Sequence, residues 1–324
     1  MVTPARAALC GATLVAILTS GVVARAAAPG SGDPKRSELH GKLEATLARL
    51  ATGLDGASGY VLRDLESGET FEKDADSVFP AASTIKLAVF LELYKRAEEG
   101  TIDLSRPVPI DPKARVEGGG VLEKWAAPYP ALTALQLSVL MMDFSDNYAA
   151  NLLIDLVGMD AVGRRLLGWG LKDTRLRRRM MDVAAARAGR ENVTTPRDLA
   201  ALLERLHAGR LLGAANTRQA IDIMKRNEGT PIKRGLPPDV PAADKSGELD
   251  GVRACAGLVF IPAGPPREGG NGAAPVRPLL ISVMTAYLGN DQAGEAFISD
   301  VTRAAYDHVS RLAASSEHGR RIGP

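Results

Sequence analysis

The sequence predicts an α+β fold in which one sheet is assembled from both ends of the chain and a helical lobe is inserted between them. Two segments near the start and three near the end have strand patterns, and helical patterns fill the middle. The predicted strands are 59–62, 69–72, 243–249, 252–261 and 279–287. We therefore expect a functional site at the seam between the sheet and the lobe.

Turn residues connect the predicted strands into hairpins. Glu66-Ser67-Gly68 separates the first two strands, and Asp250-Gly251, a strong hairpin dipeptide, joins the next two. The Gly/Pro-rich stretch 263–278 precedes the last strand and is predicted to be a solvent-exposed loop.

Caps and apolar periodicity mark the predicted helices. Thr133 with Gln136 forms a capping box, and Thr195-Pro196 supplies a cap and a first-turn proline. A nearly unbroken apolar run follows Ser83, which predicts a helix buried on most sides. The predicted helices are 37–51, 83–100, 135–144, 148–157, one that starts at 195, and 291–312.

The N-terminal segment is typical of a secretory signal. Arg6 precedes an apolar run from Ala7 to Val23, and Ala24-Arg25-Ala26 follows as a small-residue cleavage site. We expect an exported protein, periplasmic or secreted, with no membrane attachment after cleavage.

The predicted organisation is one catalytic domain behind this signal. The signal peptide would be 1–26, a flexible leader 27–36, the domain 37–312 and a frayed tail 313–324. Within the domain, an α/β lobe would comprise 37–82 and 225–312, and a helical lobe 83–224.

Charge and cysteine content exclude several classes of partner. Signal cleavage removes Arg6 and Arg25 from the 40 basic residues and none of the 38 acidic ones, so the mature chain is near neutral. Such a balance offers no footprint for nucleic acid or an anionic membrane. Loss of Cys10 leaves Cys255 without a disulfide partner. No metal-binding cluster or phosphate-binding loop is present in the sequence, so we expect no cofactor and no metal. We also expect a monomer.

Lys86 is the anomaly in this pattern, because its ammonium group falls in the first turn of an otherwise apolar helix. A buried lysine must find a partner or lose its proton. Ser83 stands three residues earlier on the same helical face, within hydrogen-bond reach. It also lies where the helix begins, so free backbone N–H groups could stabilise an oxyanion there.

A serine nucleophile needs a base, and histidine is the usual one. His40, His207 and His308 fall in predicted helices and His318 in the tail, away from any nucleophile-like motif. A Ser–Lys pair is therefore the better interpretation.

Two further motifs occur in a matching order. Ser145-Asp146-Asn147 precedes a predicted helix, and Lys245-Ser246-Gly247 lies in a predicted strand. Each motif alone has a structural alternative: Ser83 as a helix cap, Asp146-Asn147 as a turn, and Lys245 as a strand-edge charge. Their joint occurrence favours a catalytic site.

With these motifs, the sequence resembles the class A β-lactamases and related penicillin-recognising serine hydrolases. The matching segments are Phe79 to Lys86, Ser145 to Leu153, Thr194 to Pro196 and Asp244 to Gly247, and the resemblance spans about residues 40–312. It implies a β-lactamase/transpeptidase-like fold, with a five-stranded antiparallel sheet flanked by helices and an inserted all-helical lobe.

The resemblance also implies catalytic roles. Ser83 would be acylated, with Lys86 as its base or proton relay. Ser145 would pass a proton to the departing amide nitrogen, and Lys245 would hold that hydroxyl and the substrate carboxylate in a positive field. The backbone N–H groups of Ser83 and Glu248 would form the oxyanion hole.

Substrate-binding residues are implied in the same way. Ser246 would hydrogen-bond the substrate carboxylate and Asn147 the substrate's side-chain amide, with Gly247 beside them in the strand motif. Arg253 follows the hairpin near the place where some family members keep a carboxylate-binding arginine.

The chain departs from the family at the residue that activates the deacylating water. Class A β-lactamases carry a glutamate four residues after an Arg-Leu pair. Counting from Arg175-Leu176 reaches Met180, and counting back from Thr194-Thr195-Pro196 reaches Arg179. Neither side chain can act as that base.

The nearest acids to this position are Asp182 and Glu191. Asp182 could substitute as the base for water if the loop is reshaped. The alternative is an ion pair between Asp182 and Arg177, Arg178 or Arg179.

Three functions therefore stay open. The first is a serine hydrolase that forms an acyl-enzyme on β-lactams or related amides. The second is a D-alanyl-D-alanine carboxypeptidase acting on peptidoglycan-like peptides, and the third is a penicillin-binding sensor that acylates and stops. The missing glutamate speaks against efficient penicillin hydrolysis.

Overall fold

The computed structural model describes residue 1 and residues 33–110, 112, 115–126, 130–263 and 275–322. The helices are α1 Pro34–Gly53, α2 Lys86–Glu98, α3 Ala134–Asp143, α4 Asn147–Val157, α5 Met159–Gly168, α6 Val183–Arg187, α7 Pro196–His207, α8 Ala214–Met224, α9 Pro231–Arg234 and α10 Asp291–Ala313. The strands are β1 Ala57–Asp64, β2 Thr70–Lys73, β3 Phe79–Pro80, β4 Pro107–Val108, β5 Leu132–Thr133, β6 Val193–Thr194, β7 Ala242–Leu249, β8 Val252–Pro262 and β9 Val276–Ala286.

Some sequence predictions lie outside the described residues. They are the signal peptide beyond Met1, with Cys10, the leader up to residue 32, and residues 264–274 of the predicted loop. Among the described helices, none combines the length and the apolar character needed to cross a membrane.

The predicted five-stranded antiparallel sheet is confirmed. Its strand order is β2-β1-β9-β8-β7, so strands from the start of the chain pair with strands from its end. The junction is the β1/β9 pair, which runs from Ala57 opposite Ala286 to Asp64 opposite Leu279. Because β7 is an edge strand, one side of its backbone is free to meet other parts of the chain.

Both predicted hairpins form. β1 pairs with β2, with Tyr60 opposite Lys73. β7 and β8 are joined by Asp250-Gly251, with Leu249 opposite Val252. Gly251 has a φ of +70°, which glycine adopts without steric cost.

Alternation along β8 divides the sheet into two faces. Ala254 and Ala256 belong to an apolar core shared with α2, α3 and α4, and we call this side the inner face. Cys255, between them, belongs to a second core with α1 and α10, and we call that side the outer face. A residue's parity along its strand therefore decides which face its side chain joins.

The helix caps read from the sequence are confirmed. Thr133 and Gln136 form a reciprocal capping box at the start of α3. Thr195 caps α7 by accepting a hydrogen bond from Asp198 N, with Pro196 in the first turn. Such caps satisfy N–H groups that have no partner within the helix.

Several predicted boundaries were wrong, including the end of the predicted loop 263–278, because β9 already begins at Val276. α1 begins at Pro34, inside the predicted leader, because Asp33 accepts a hydrogen bond from Lys35 N and Pro34 suits the first turn. The tail is not frayed throughout, since Ser315 forms an isolated bridge with Arg321. The helix expected from Ser83 begins as a 3₁₀ turn, Ala82–Ile85, before α2 starts at Lys86.

A short ladder that the sequence did not predict fixes the chain just before this turn. β3 pairs with β6, with Phe79 opposite Thr194. Ala81 N also donates to Asn192 O at 2.8 Å. The 3₁₀ turn is therefore anchored to the end of the loop 175–193. This is the loop on which the chain lacks the family's glutamate.

Candidate active site

Three separate segments meet at the inner face of the sheet. The first is the 3₁₀ turn that carries Ser83, the second is the junction between α3 and α4 that carries Ser145, and the third is the edge strand β7. Ser83 and Ser145 are partly exposed, whereas Lys86 is completely buried. The two serines are therefore accessible to solvent in part, and the lysine between them is not.

Close approach of β7 to the 3₁₀ turn depends on Gly247. A Cβ added there would lie 2.9 Å from Ser83 N and 3.0 Å from both Ala82 Cβ and Thr84 N. These contacts involve rigid backbone on either side of the nucleophile. The edge of β7 is thus packed directly against the N–H group of Ser83.

A buried carboxylate holds the junction between α3 and α4. Asp146 caps α4 through Oδ1, which accepts from Ala149 N at 2.8 Å. Its Oδ2 accepts from Val121 N at 2.8 Å and Leu122 N at 2.7 Å. These bonds hold Ser145 in a left-handed conformation, with φ of +53°, which non-glycine residues adopt only when the surroundings enforce it.

Four oxygen atoms surround the amine of Lys86. Its Nζ lies 2.5 Å from Ser145 O, 2.8 Å from Asn147 Oδ1, and 3.1 Å from both Ser83 Oγ and Ser145 Oγ. The amide of Asn147 is oriented by its own Nδ2, which donates to Gly118 O at 2.9 Å. Two of the four oxygens, the Ser145 carbonyl and Asn147 Oδ1, can therefore only accept hydrogen bonds.

This arrangement suits a neutral amine that acts as a base. A neutral Lys86 has two hydrogens, which the two obligatory acceptors use, and one lone pair. The lone pair is then left for a serine hydroxyl hydrogen, from Ser83 or Ser145. The equal 3.1 Å distances allow Nζ to exchange a proton with either hydroxyl.

Burial and a second lysine favour that neutral form. Desolvation holds the pKa of Lys86 well below its usual range, and the charge of Lys245 lowers it further, while Asp146 acts in the opposite direction. Burial also lowers the pKa of Lys245, to about 8. Lys245 can therefore stay charged at a pH where Lys86 is neutral.

Lys245 and Ser246 lie on opposite faces of β7. Lys245 is opposite Ala256, an inner-face residue, so it points toward the 3₁₀ turn. Its Nζ donates to Ser246 O at 2.8 Å. Ser246 is opposite Cys255 of the outer face, and the hydrogen bonds among the described residues do not bring its hydroxyl to the Lys86 group.

Arg253 is not part of this site, contrary to the sequence prediction. It shares the parity of Cys255 on β8, so its side chain lies on the outer face. There Asp291 and Glu295 of α10 bind its guanidinium, each at 3.2 Å. Lys245 therefore supplies the positive charge that β7 and β8 bring to the site. Arg253 was assigned wrongly because neighbouring residues of a strand point to opposite faces, and Arg253 is one residue away from an inner-face position.

The loop 175–193 is attached to α4 at Met180, which stands four residues after Leu176 of the Arg-Leu pair. Asn151, buried on α4, accepts from Met180 N at 2.8 Å and donates to Met180 O at 3.1 Å. Because Asn151 lies one helical turn after Asn147, this clamp attaches the backbone of Met180 to the same face of α4 that carries Asn147. Met180 itself is buried in the apolar core.

Asp182 does not take the glutamate's place. Its Oδ1 accepts from Ala185 N at 2.9 Å as the cap of α6, and the residue is exposed. The ion pairs expected as the alternative were also wrong for the described residues, because Arg178 pairs with Glu191 and Arg179 pairs with Asp155. The loop thus uses its acids for its own structure.

Sequence reasoning missed Asn151 and the structural role of Asp146. Both have a signal in the sequence. Asn151 stands four residues after Asn147, which places two amides on one helical face. Asp146 precedes α4 at a capping position, and Gly118-Gly119-Gly120 marks the loop that approaches it, since a Cβ on Gly120 would lie 2.5 Å from Asp146 Oδ2.

Comparison with known proteins places this geometry in a family. A family model described as the β-lactamase enzyme family matches residues 42–309. The β-lactamase CARB-3 of Pseudomonas aeruginosa is 29% identical over 224 residues, which cover 68% of this chain and 77% of that protein.

Solved structures of both kinds of relative superpose on this chain. PBP-A is similar with a TM-score of 0.74 and 27% identity, over 84% of this chain and 97% of that one. A variant of PBP-A, solved as an acyl-enzyme complex with penicillin G, has a TM-score of 0.73 at 27% identity, over 85% of this chain and 97% of that one. A β-lactamase from Sphaerobacter thermophilus has a TM-score of 0.72 and 29% identity, over 83% and 97% of the two chains.

The contact between Gly247 and the 3₁₀ turn leads to a first prediction. Gly247→Ala should slow labelling of Ser83 by a fluorescent penicillin by about 100-fold, because the added methyl displaces the N–H group that would bind the oxyanion. Gly41→Ala, where a Cβ meets nothing within 4 Å, is the matched control and should label at the parental rate. Labelling of a folded Gly247→Ala protein at the parental rate would contradict the proposed contact.

Proposed function

The chain belongs to the β-lactamase enzyme family, and on that premise we propose that it is a penicillin-recognising serine enzyme that acylates Ser83 and hydrolyses the acyl-enzyme slowly. Its substrates would be β-lactams or related amides such as peptidoglycan-like peptides. The observation that carries the proposal is the position of the buried Lys86 amine, at 3.1 Å from the hydroxyls of both Ser83 and Ser145.

Acylation would begin with proton transfer from Ser83 Oγ to the lone pair of Lys86. The freed oxygen attacks the carbonyl carbon of the amide, and the C–N bond then breaks. The departing nitrogen needs a proton. Ser145 Oγ supplies it and is reprotonated by Lys86. Three transfers, from Ser83 to Lys86, from Lys86 to Ser145 and from Ser145 to the nitrogen, therefore deliver one net proton from Ser83 to the leaving group.

The negative charge on the carbonyl oxygen would be stabilised by backbone donors. The N–H of Ser83 lies at the start of the 3₁₀ turn, and the N–H of Glu248 follows Gly247 on the adjacent edge strand. Because Gly247 contacts Ser83 N directly, the two donors can converge on one oxygen. Lys245 would attract the substrate carboxylate, and Asn147 would hydrogen-bond the side-chain amide. The carboxylate contact that the resemblance implies for Ser246 is not part of this proposal, because its side chain lies on the opposite face of β7 from Lys245.

Slow hydrolysis follows from the residue at position 180. A water molecule that attacks the acyl-enzyme needs a base on the loop 175–193. Met180 has no proton-accepting group of that kind, and Asp182 is engaged in capping α6. This favours the carboxypeptidase or penicillin-binding type of chemistry over rapid penicillin hydrolysis, which remains the other candidate because β-lactamases are among the similar proteins.

The proposal includes export and a lobed catalytic domain. On the N-terminal pattern we place a signal at residues 1–26 and the protein in the periplasm or outside the cell. The domain would be a monomer that begins with α1 at Pro34, with an α/β lobe formed from both ends of the chain and a helical lobe at 83–224.

A direct test follows both adduct and turnover. Purified mature protein is mixed with a chromogenic cephalosporin, and colour and intact mass are recorded together. We expect one covalent adduct on Ser83 that persists for many times longer than its formation takes, and no adduct on Ser83→Ala. Rapid sustained colour would favour the β-lactamase alternative. In a parallel assay with a D-alanyl-D-alanine peptide, release of D-alanine would favour the carboxypeptidase. Absence of any adduct on the wild type would refute the proposal.

Replacement of Met180 tests why hydrolysis is slow. Met180→Glu should raise the deacylation rate by about 100-fold, which is in the range that a positioned general base contributes. The Asn151 clamp would hold the backbone at position 180 as it does in the wild type, because both of its hydrogen bonds go to the main chain. The rate is measured as the decay of the penicilloyl adduct by mass spectrometry.

Two controls separate the base from other effects of the substitution. Met180→Gln has nearly the same shape as Met180→Glu but no basic carboxylate, and should deacylate at the parental rate. Asp182→Asn should also leave deacylation unchanged, because Asp182 caps a surface helix. Equal acceleration by Gln and Glu, or a loss of deacylation in Asp182→Asn, would contradict this account of the loop.

A further inference from the structure

Behind Lys245, on the outer face of β7, lies a buried carboxylate that the proposed mechanism does not use. Asp244 is completely buried, opposite Gly257. A Cβ on Gly257 would lie 2.4 Å from Asp244 Cβ, so the glycine leaves room for the carboxylate between the two strands. A charge in such a place is costly unless it is compensated.

The amide of Asn227 is oriented toward this carboxylate. Lys233 Nζ donates to both Asn227 O and Asn227 Oδ1, and an ammonium group can only donate. Asn227 Oδ1 must therefore face Lys233, which leaves Nδ2 to donate to Asp244 O at 2.8 Å and Asp244 Oδ1 at 3.1 Å.

The hydroxyl of Thr230 is oriented in the same way. Its Oγ1 accepts from Lys233 N at 3.3 Å as the cap of α9. Its hydrogen is free to point at Asp244 Oδ2, at 2.9 Å. Both carboxylate oxygens of Asp244 therefore receive hydrogen bonds from fixed donors, an environment built for the ionised form.

We propose that Asp244 is a positioning residue that acts through Lys245: its carboxylate, held by Asn227 and Thr230 behind the edge strand, is the counter-charge that keeps the Lys245 ammonium group protonated opposite Ser83. Adjacent residues of a strand point to opposite faces, so the two charges act across the backbone of β7. The catalytic consequence rests on the proposed function, whereas the charge relation itself does not.

The other groups around Lys245 do not supply this charge. Lys86 on α2 and Lys233 on α9 are themselves basic. Burial raises the pKa of the Cys255 thiol on β8 well above its usual range, so that group stays neutral. Glu248 on β7 is exposed and therefore screened by solvent. Asp244 is the remaining acid that acts on Lys245 from a dry environment.

The two charges coexist over a limited pH range. Burial raises the pKa of Asp244 to about 6, although its hydrogen bonds and Lys233 act against the rise. Burial lowers the pKa of Lys245 to about 8, and Asp244 opposes that fall. Between these values Asp244 is ionised and Lys245 is protonated. In this range the Lys245 charge can bind a substrate carboxylate and also hold the pKa of Lys86 low.

The test is the titration of Lys245 in Asp244→Asn. Protein with ¹³Cε-labelled lysine is titrated by NMR, and Lys245→Arg assigns the signal. We expect the pKa of Lys245 to fall by about one unit in Asp244→Asn. Asp222→Asn, which removes an exposed carboxylate from α8, is the matched control and should leave the titration unchanged. An identical titration of Lys245 in the wild type and in folded Asp244→Asn would overturn the proposal.

A second readout is the pH profile of Ser83 acylation by a fluorescent penicillin. The alkaline limb, where Lys245 loses its proton, should move to lower pH in Asp244→Asn and should not move in Asp222→Asn. A residue that only supports the fold would lower the rate at every pH without moving the limb. If the wild type forms no adduct, the proposed function fails, but the NMR titration still decides whether Asp244 is the counter-charge.

A milder substitution covers the case in which Asp244→Asn does not fold. Thr230→Val removes one donor from Asp244 Oδ2, which raises the pKa of Asp244 and weakens its charge between pH 6 and 8. We expect a smaller fall in the pKa of Lys245 than in Asp244→Asn. No fall in Thr230→Val, with Asp244→Asn unfolded, would also overturn the proposal.

Discussion

The site depends on an amine that is buried among oxygens and that contacts no carboxylate of the described residues. The neutral Lys86 amine can donate its two hydrogens to Ser145 O and Asn147 Oδ1. Its lone pair can accept a hydrogen bond from the hydroxyl of Ser83 or Ser145. An ammonium group in the same place would face desolvation and the charge of Lys245. The surrounding elements serve this arrangement: the 3₁₀ turn holds Ser83, Asp146 holds Ser145 in a strained conformation, and Gly247 lets the edge strand approach.

Much of this site could be predicted because its chemistry violates the local pattern. A lysine in an apolar helix is conspicuous, and the Ser–Lys spacing follows from helical geometry alone. The sheet was also predictable, since hairpin turns and alternation are local signals. The order of its strands was not predicted. The meeting of Ser83, Ser145 and Lys245 in one site followed from the resemblance, since no local pattern encodes contacts between residues such as Lys86 and Ser145.

The errors have a common physical origin, which is that a role depends on a side chain's direction rather than on its position in the sequence. Arg253 lies two residues beyond the Asp250-Gly251 turn, at a plausible place for a carboxylate-binding group, but its parity turns it to the outer face and to α10. Asp182 is two residues from Met180, yet the start of α6 uses its carboxylate. Moving one residue along a strand turns the side chain to the other face of the sheet. An acidic residue just before a helix can be used to cap the helix N-terminus.

In the proposed mechanism, acylation and deacylation would use different parts of the chain, and this separation would explain how one can persist without the other. The groups for acylation lie on α2, the α3/α4 junction and β7, which the core holds together. The base for deacylation would come from the loop 175–193, whose backbone is fixed by Asn151 whatever side chain occurs at position 180, because both hydrogen bonds go to the main chain. Met180 can therefore replace a carboxylate without disturbing the loop. Burial of the apolar Met180 side chain in the core also stabilises the folded chain. The same backbone clamp would accept an acid or an apolar residue. On the proposed mechanism, the identity of this one side chain would separate an enzyme that releases its acyl group from one that retains it.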